Sequence, residues 1–189
     1  MCFVQIGRDF EEHGHAATVL GGYAGQSLLL VLGVALGVML LGVGTAALGV
    51  QLVEGARDPM EIGQGLARVA EAALAVLADA TIAEFERAHG RIAGGQLVTL
   101  GLGRMGGGAL THASDLDLVF LFTGDHGTES DGARPLGATL YFNRLAQRVI
   151  AALSVPTAEG ALYEVDTRLR PSGAQGPLAV SLDAFERYQ

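Results

Sequence analysis

Two aspartates one residue apart, Asp115 and Asp117, stand in "SDLDLVFLF" at the head of an apolar run from Leu116 to Phe122. Burying a carboxylate is costly unless it is paired or binds a cation. If the run is a strand, alternate side chains share a face, so both aspartates point the same way with Cα atoms ~6.6 Å apart. Carboxylates at that spacing can converge on one divalent cation. An all-oxygen ligand set favours Mg²⁺, Mn²⁺ or Ca²⁺ over zinc. An isolated Asp-x-Asp is also an ordinary polar strand start, and three further features weigh against that plainer reading.

The first is the glycine turn "GRMGGG" just upstream. Gly103, Gly106, Gly107 and Gly108 are expected to leave backbone N–H groups free for an anion, beside a short helix whose N-terminus favours phosphate. The second is Asp166 in "LYEVDTRLR", a candidate third carboxylate with apolar Val165 beside it and Tyr163 two residues before. The third is a set of arginines. Arg168 and Arg170 share the parity of Asp166 in an expected strand, and Arg104 lies in the glycine turn. These arginines could be plain ion-pair partners, and they also suit a triphosphate bound through its metal.

The elements that must position these residues are readable from periodicity. Leu97 to Leu102 reads as a strand, followed by the glycine turn with a short helical segment to about Thr111. Leu116 to Phe122 is the second strand. A polar loop leads to a helix from about Thr139 to Leu153 with Leu145 and Val149 inward, and Ala161 to Leu169 reads as a third strand. Ser181 is expected to cap a last helix. Upstream, Asp58 is a plausible N-cap for a helix of ~45 Å running to Gly90, with Pro59 at its first position and Glu61 in its first turn. Ile62, Leu66, Val69, Ala73, Val76 and Leu77 form its apolar stripe. Strands interleaved with helices indicate an α/β (α+β) fold, a mixed sheet with flanking helices.

Three zones follow: an apolar segment over 1–53, a long scaffold helix over 54–90, and the core that carries the aspartates over 91–189. Residues 13–53 contain no Asp, Glu, Lys or Arg. Within them, 28–50 is long enough to span a bilayer, since about 20 apolar residues are needed. Gly33 and Gly37 have the spacing of close-packed membrane helices. Acidic residues Asp9, Glu11 and Glu12 precede the run, which argues against a signal peptide. The net charge of −8 argues against a long nucleic-acid footprint, which needs a basic face. The one cysteine, Cys2, excludes an intrachain disulfide.

Taken together, "LGRMGGGALTHASDLDLVFLF" and "YFNRLAQRVIAALSVPTAEGALYEVDTRLRPSGAQGPLAVSLDAFERYQ" resemble the bacterial glutamine synthetase adenylyltransferases, members of the polymerase-β-like nucleotidyltransferases. The resemblance runs from about Gly49 to Gln189. It implies ATP as substrate and Mg²⁺ as cofactor, two ions being expected, held by Asp115, Asp117 and Asp166. Gly103, Arg104, Gly106, Gly107, Ser114, Arg168 and Arg170 would bind the nucleotide. The acceptor implied is a tyrosine hydroxyl of glutamine synthetase, with Asp166 taking its proton. Such enzymes have two halves, one adding AMP and one removing it by phosphorolysis. "LYEVDTRLRPSG" and "AFERYQ" are closer to the adding half, and the adenylyl-removing half is the alternative. A chain that keeps the fold without activity is a further alternative.

The family's PII signalling partner would engage regions outside this sequence. A cytoplasmic location is implied, the alternative being membrane association through 28–50. Two departures stand out: Arg104 where lysine is usual, and Ala109 where glutamate is usual. His112 is also unusual and is expected in a surface loop.

Overall fold

The computed structural model describes residues 39, 42–55, 57–157 and 160–188. Helix α1, described over 42–53, precedes α2 (Pro59–His89). Then come β1 (Leu97–Gly101), the single turn α3 (Gly103–Gly106), β2 (Leu116–Phe122) and α4 (Ala138–Ser154). The chain ends with β3 (Pro156–Thr157), β4 (Gly160–Ala161), β5 (Val165–Asp166), β6 (Ala179–Ser181) and α5 (Leu182–Tyr188). No helix among the described residues is long and apolar enough to cross a membrane. Most of 28–50, the segment of spanning length, lies outside the described residues.

Strand β2 is the centre of a mixed sheet. Along one edge β1 pairs antiparallel, from Leu97 opposite Phe122 to Gly101 opposite Leu118. Along the other edge two short strands pair parallel in succession: β5 against Leu116 and Asp117, then β6 against Phe120 to Phe122. The two faces of β2 have different cover. Leu116, Leu118, Phe120 and Phe122 pack into the main core with α2 and α4. Val119 and Leu121 face the other way, into a smaller cluster with Leu100, Val180 and, from α5, Ala184 and Phe185. Asp115 and Asp117 continue that second row toward the start of the strand, beyond the cluster that α5 closes. Helix α5 begins as the sequence indicates, with the Ser181 hydroxyl accepting from the Ala184 amide at 3.2 Å.

Helix α2 starts where Asp58 Oδ1 accepts from the Met60 amide at 2.9 Å and Pro59 sets the first turn. It stops at Gly90, whose φ is +69°. Ile62, Leu66, Ala73 and Leu77 of the expected stripe are buried, and the stripe extends to one side of it. Ala70, Leu74 and Phe85 are buried, while Val76 is 41% exposed. Ala67, Ala70 and Ala78 also join the core cluster. Val69 is half-buried and meets α1 instead, where a Cβ on Gly44 would lie 3.8 Å from its methyl group.

A half-buried polar hub at Asn143 ties α4 to the sheet. The Asn143 carbonyl accepts from the Leu178 amide at 2.7 Å and the Ala179 amide at 3.2 Å. Its amide group donates to the Ala179 carbonyl at 3.1 Å and the Thr139 carbonyl at 2.8 Å. Asn143 thereby holds the start of β6 at the distance where it can pair with β2.

The expected third strand, Ala161 to Leu169, is not continuous. Gly160–Ala161 pairs with Pro156–Thr157 in a separate ribbon, and only Val165–Asp166 joins the sheet. The reason is local. Asp166 Oδ1 accepts from the Arg168 backbone amide at 2.8 Å, a side-chain turn that takes the chain off the strand direction. Arg168 and Arg170 therefore sit in turns, and strand parity does not place them.

Candidate functional site

Asp117 leaves β2 half-buried, Asp115 precedes it exposed, and Asp166 ends β5 half-buried. The parallel register sets Asp117 directly opposite Asp166. One carboxylate oxygen from each of the three lies within 4.8 Å of the others. Opposite ligands of a magnesium ion at ~2.1 Å are ~4.2 Å apart, so oxygens within 4.8 Å of one another are near the spacing that one ion's ligands need. Three hard oxygen donors this close, open to solvent on one side, fit Mg²⁺ or Mn²⁺ and do not suit a soft metal. The question raised by paired carboxylates at a strand's mouth has a geometric answer. They lie on the face of β2 that is covered only further along, and a third carboxylate meets them from the next strand.

Charge has accumulated here without full compensation. The Asp117 pKa is raised, first by partial burial, then by Asp115 and Asp166, against a lowering by Arg168. The Asp166 pKa is lowered to about 2, first by the side-chain hydrogen bonds of Arg168 and then by its backbone amide. Arg168 grips Asp166 with both arms of its fork: Nε lies 3.0 Å from Oδ1 and 2.8 Å from Oδ2, and a terminal nitrogen also donates to Oδ2. Held this way, Asp166 stays ionised and engaged by Arg168.

The raised value at Asp117 carries a stability consequence with a definite sign. Its folded pKa exceeds its unfolded one, so the ionised carboxylate opposes folding above that pKa. The penalty vanishes below the ordinary value of 3.8. In EDTA, Asp117→Asn is expected to stabilise the protein at neutral pH. Urea unfolding as a function of pH checks this. The gain should shrink to zero as pH falls toward ~3.5.

The glycine turn does something different from what its composition indicates. The amides of Gly106, Gly107, Gly108 and Ala109 donate within the turn, to the carbonyls of Leu102, Gly103, Met105 and Arg104 at 2.9 to 3.1 Å. They are not free for an anion. The amides that the turn's own ladder cannot use are those at its start, Gly103 to Met105. Gly103 and Gly106 are needed for close approach. At Gly103, with φ +51°, a Cβ would lie 2.0 Å from Asp117 Oδ2; at Gly106 it would lie 2.5 Å from the Gly101 carbonyl oxygen. Gly103 is thus the floor of the carboxylate cluster.

The remaining expected residues divide. Ser114 is tied into its own turn, its hydroxyl accepting from the Thr111 amide at 3.1 Å and lying 2.8 Å from the Thr111 hydroxyl. Arg104 is exposed on the glycine turn, and His112 is exposed in the 112–113 turn. Arg170 staples the loop after β5, donating to the Thr167 carbonyl at 2.7 Å and the Thr167 hydroxyl at 2.8 Å. An open cleft of about 440 Å³ lies beside the cluster, lined by Asp115, Asp166, Arg168 and Arg170 together with Glu164 and Thr167. Glu164 was not among the expected site residues. Its parity with Asp166 in "YEVD" is the signal that would have found it.

Comparison with known sequences bears on this geometry. The family model described as "Glutamate-ammonia ligase adenylyltransferase" matches residues 44–189. The chain is 47% identical over 143 residues to the "Bifunctional glutamine synthetase adenylyltransferase/adenylyl-removing enzyme" of Rhizobium meliloti (strain 1021), covering 75% of this chain and 14% of that protein. The protein of the same description from Caulobacter vibrioides (strain ATCC 19089 / CIP 103742 / CB 15) is 43% identical over 141 residues, again 75% of this chain and 14% of the relative. The chain spans about a seventh of the length of the curated relatives it matches.

Proposed function

The chain belongs to the glutamate-ammonia ligase adenylyltransferase family, and on that premise we propose that Asp115, Asp117 and Asp166 are the centre of an adenylyl-transfer site. The reaction moves AMP from ATP to a tyrosine hydroxyl of glutamine synthetase, within a fold of the polymerase-β-like nucleotidyltransferase type. The observation that carries this reading is the approach of three carboxylate oxygens, from two paired strands, to within 4.8 Å over the bare Cα of Gly103. The nucleotide's phosphates would lie in the cleft, beside the guanidinium of Arg168.

The three aspartates would hold Mg²⁺, which would supply charge neutralisation at the reacting phosphate and polarise its oxygens. Everything else in the proposal falls to the chain itself. Gly103 keeps the floor of the site clear of side-chain atoms. The Asx turn at Asp166 fixes that carboxylate opposite Asp117. Asn143 and Arg170 hold the strands and loop that carry them. The adding direction is chosen over the removing one because "LYEVDTRLRPSG" and "AFERYQ" resemble the adding half. The chemistry at the aspartates would be shared by both directions.

Nucleotide binding tests the site. With Mg²⁺ present, the intact chain is expected to bind a non-hydrolysable ATP analogue in calorimetry. Asp115→Asn/Asp117→Asn should weaken it by at least about tenfold, the loss of a charge-neutralising ion beneath a triphosphate. Equal affinity in the two proteins would remove the aspartates from the site.

A further inference from the structure

We propose that Arg168 is an exchangeable cap on Asp166: its side chain holds the carboxylate when no cation is present and leaves it for the nucleotide's phosphates when one binds. The inference rests on the metal-site reading above and adds a moving part to it.

The argument begins with lone pairs. A carboxylate offers about four acceptor positions. Arg168 reaches both oxygens of Asp166, through its backbone amide and Nε on Oδ1 and through Nε and a terminal nitrogen on Oδ2. Little of Asp166 then remains for a cation that must also be shared with Asp115 and Asp117. Yet Asp166 is the group whose oxygen completes the cluster. The two demands conflict in a single arrangement, and they are compatible in two.

The cap is built to separate into a fixed part and a movable part. The backbone amide of Arg168 belongs to the Asx turn and keeps Asp166 in place whatever the side chain does. The guanidinium is at the surface: the Arg168 side chain is 79% exposed, against 13% for Asp166. An exposed arginine can rotate away without disturbing packing, at the cost of its ion pair and hydrogen bonds with Asp166. Arg170 is different, because its guanidinium is anchored to Thr167 at both the carbonyl and the hydroxyl. Of these two cleft arginines, Arg168 is therefore the one able to change partner.

Charge gives the exchange its direction. The three carboxylates outnumber the two arginines, Arg168 and Arg170, that act on Asp166, and a divalent cation relieves the excess negative charge more fully than a guanidinium does. Arg168 also lines the cleft, so on leaving Asp166 it remains beside the place proposed for the phosphates. No bond is made or broken in this step; one charge-assisted contact replaces another.

The test uses Mn²⁺ as probe, counted by the electron paramagnetic resonance of the free ion, on the intact chain without nucleotide. Arg168→Gln is expected to bind Mn²⁺ roughly fivefold tighter than the wild type, the scale of one exposed ion pair removed from competition. With Mn²⁺ saturating, the same variant should bind the ATP analogue roughly tenfold more weakly. A second readout needs no substitution. The Arg168 Nε–H resonance, assigned by its absence from the variant, should shift on titration of wild type with diamagnetic Mg²⁺. Unchanged or weaker Mn²⁺ binding by Arg168→Gln, or an Nε–H resonance unmoved at Mg²⁺ saturation, would overturn the exchange. Asp117→Asn serves as the control on the site itself. If it keeps wild-type Mn²⁺ affinity, the metal-site reading fails and the cap falls with it.

Discussion

A single methyl group at position 103 is expected to abolish divalent-cation binding while leaving most of the fold standing. Gly103→Ala places a Cβ 2.0 Å from Asp117 Oδ2 and 3.0 Å from its Cγ. That approach is well inside van der Waals contact, so either the carboxylate rotates off the cluster or the turn shifts. Rotation is the cheaper response, because Asp117 is a short side chain near solvent. It removes one of three ligands from the convergence. The backbone adds a second cost, since φ of +51° is left-handed, where a side chain is strained by about 1 kcal/mol. The expected outcome is loss of Mn²⁺ affinity by about a hundredfold, near 2.7 kcal/mol, with a stability loss of about 1 to 2 kcal/mol.

Gly106→Ala gives the contrast. There the new Cβ would meet the Gly101 carbonyl oxygen at 2.5 Å, a backbone atom at the end of β1 that has no rotamer to escape into. That variant should lose stability more than Gly103→Ala does, by about 3 kcal/mol, because α3 must part from the sheet. Urea unfolding beside Mn²⁺ titration of both proteins separates the two roles. If Gly103→Ala bound Mn²⁺ normally, Gly103 would not be the floor of the site.

How much of this was legible in the sequence depends on the kind of signal. Strand β2 and helices α2 and α4 announce themselves because each is long and strongly periodic, and their caps Asp58, Pro59 and Gly90 use side-chain chemistry readable locally. The third strand was overextended for a physical reason. "ALYEVDTRL" alternates well, but the Asp166 side chain turns the backbone after two paired residues. The same turn decided the fate of the arginines: Arg168 closes onto Asp166, and Arg170 closes onto Thr167.

The glycine turn was misread for a different reason. A run of glycines permits both free amides and close backbone approach, and composition does not separate them. The structure assigns Gly103 and Gly106 to close approach, and it bonds the amides of Gly106 and Gly107 to the carbonyls of Leu102 and Gly103. The closeness of Asp166 to Asp115 and Asp117 belongs to a third category. It depends on β5 pairing parallel with β2 in one register, a long-range fact suggested by the resemblance and absent from local pattern.

The largest effect expected is on the chemistry. Replacing Asp115 and Asp117 by Asn keeps side-chain size but turns two anionic ligands into weak neutral ones, and leaves Asp166 already engaged by Arg168. Little remains to neutralise charge at a reacting phosphate, an effect of several kcal/mol when a metal supplies it. A loss of about 4 kcal/mol corresponds to roughly a thousandfold in rate. The fold should persist, because the double asparagine variant relieves the like-charge crowding that raises Asp117.

The most direct test of the central claim is transfer of labelled AMP from ATP to glutamine synthetase by the intact 189-residue chain in Mg²⁺, wild type beside Asp115→Asn/Asp117→Asn. The account predicts labelled glutamine synthetase from the wild type and at least a thousandfold less from the variant. Equal labelling by the two proteins, or none from folded wild type with ATP bound, would contradict it.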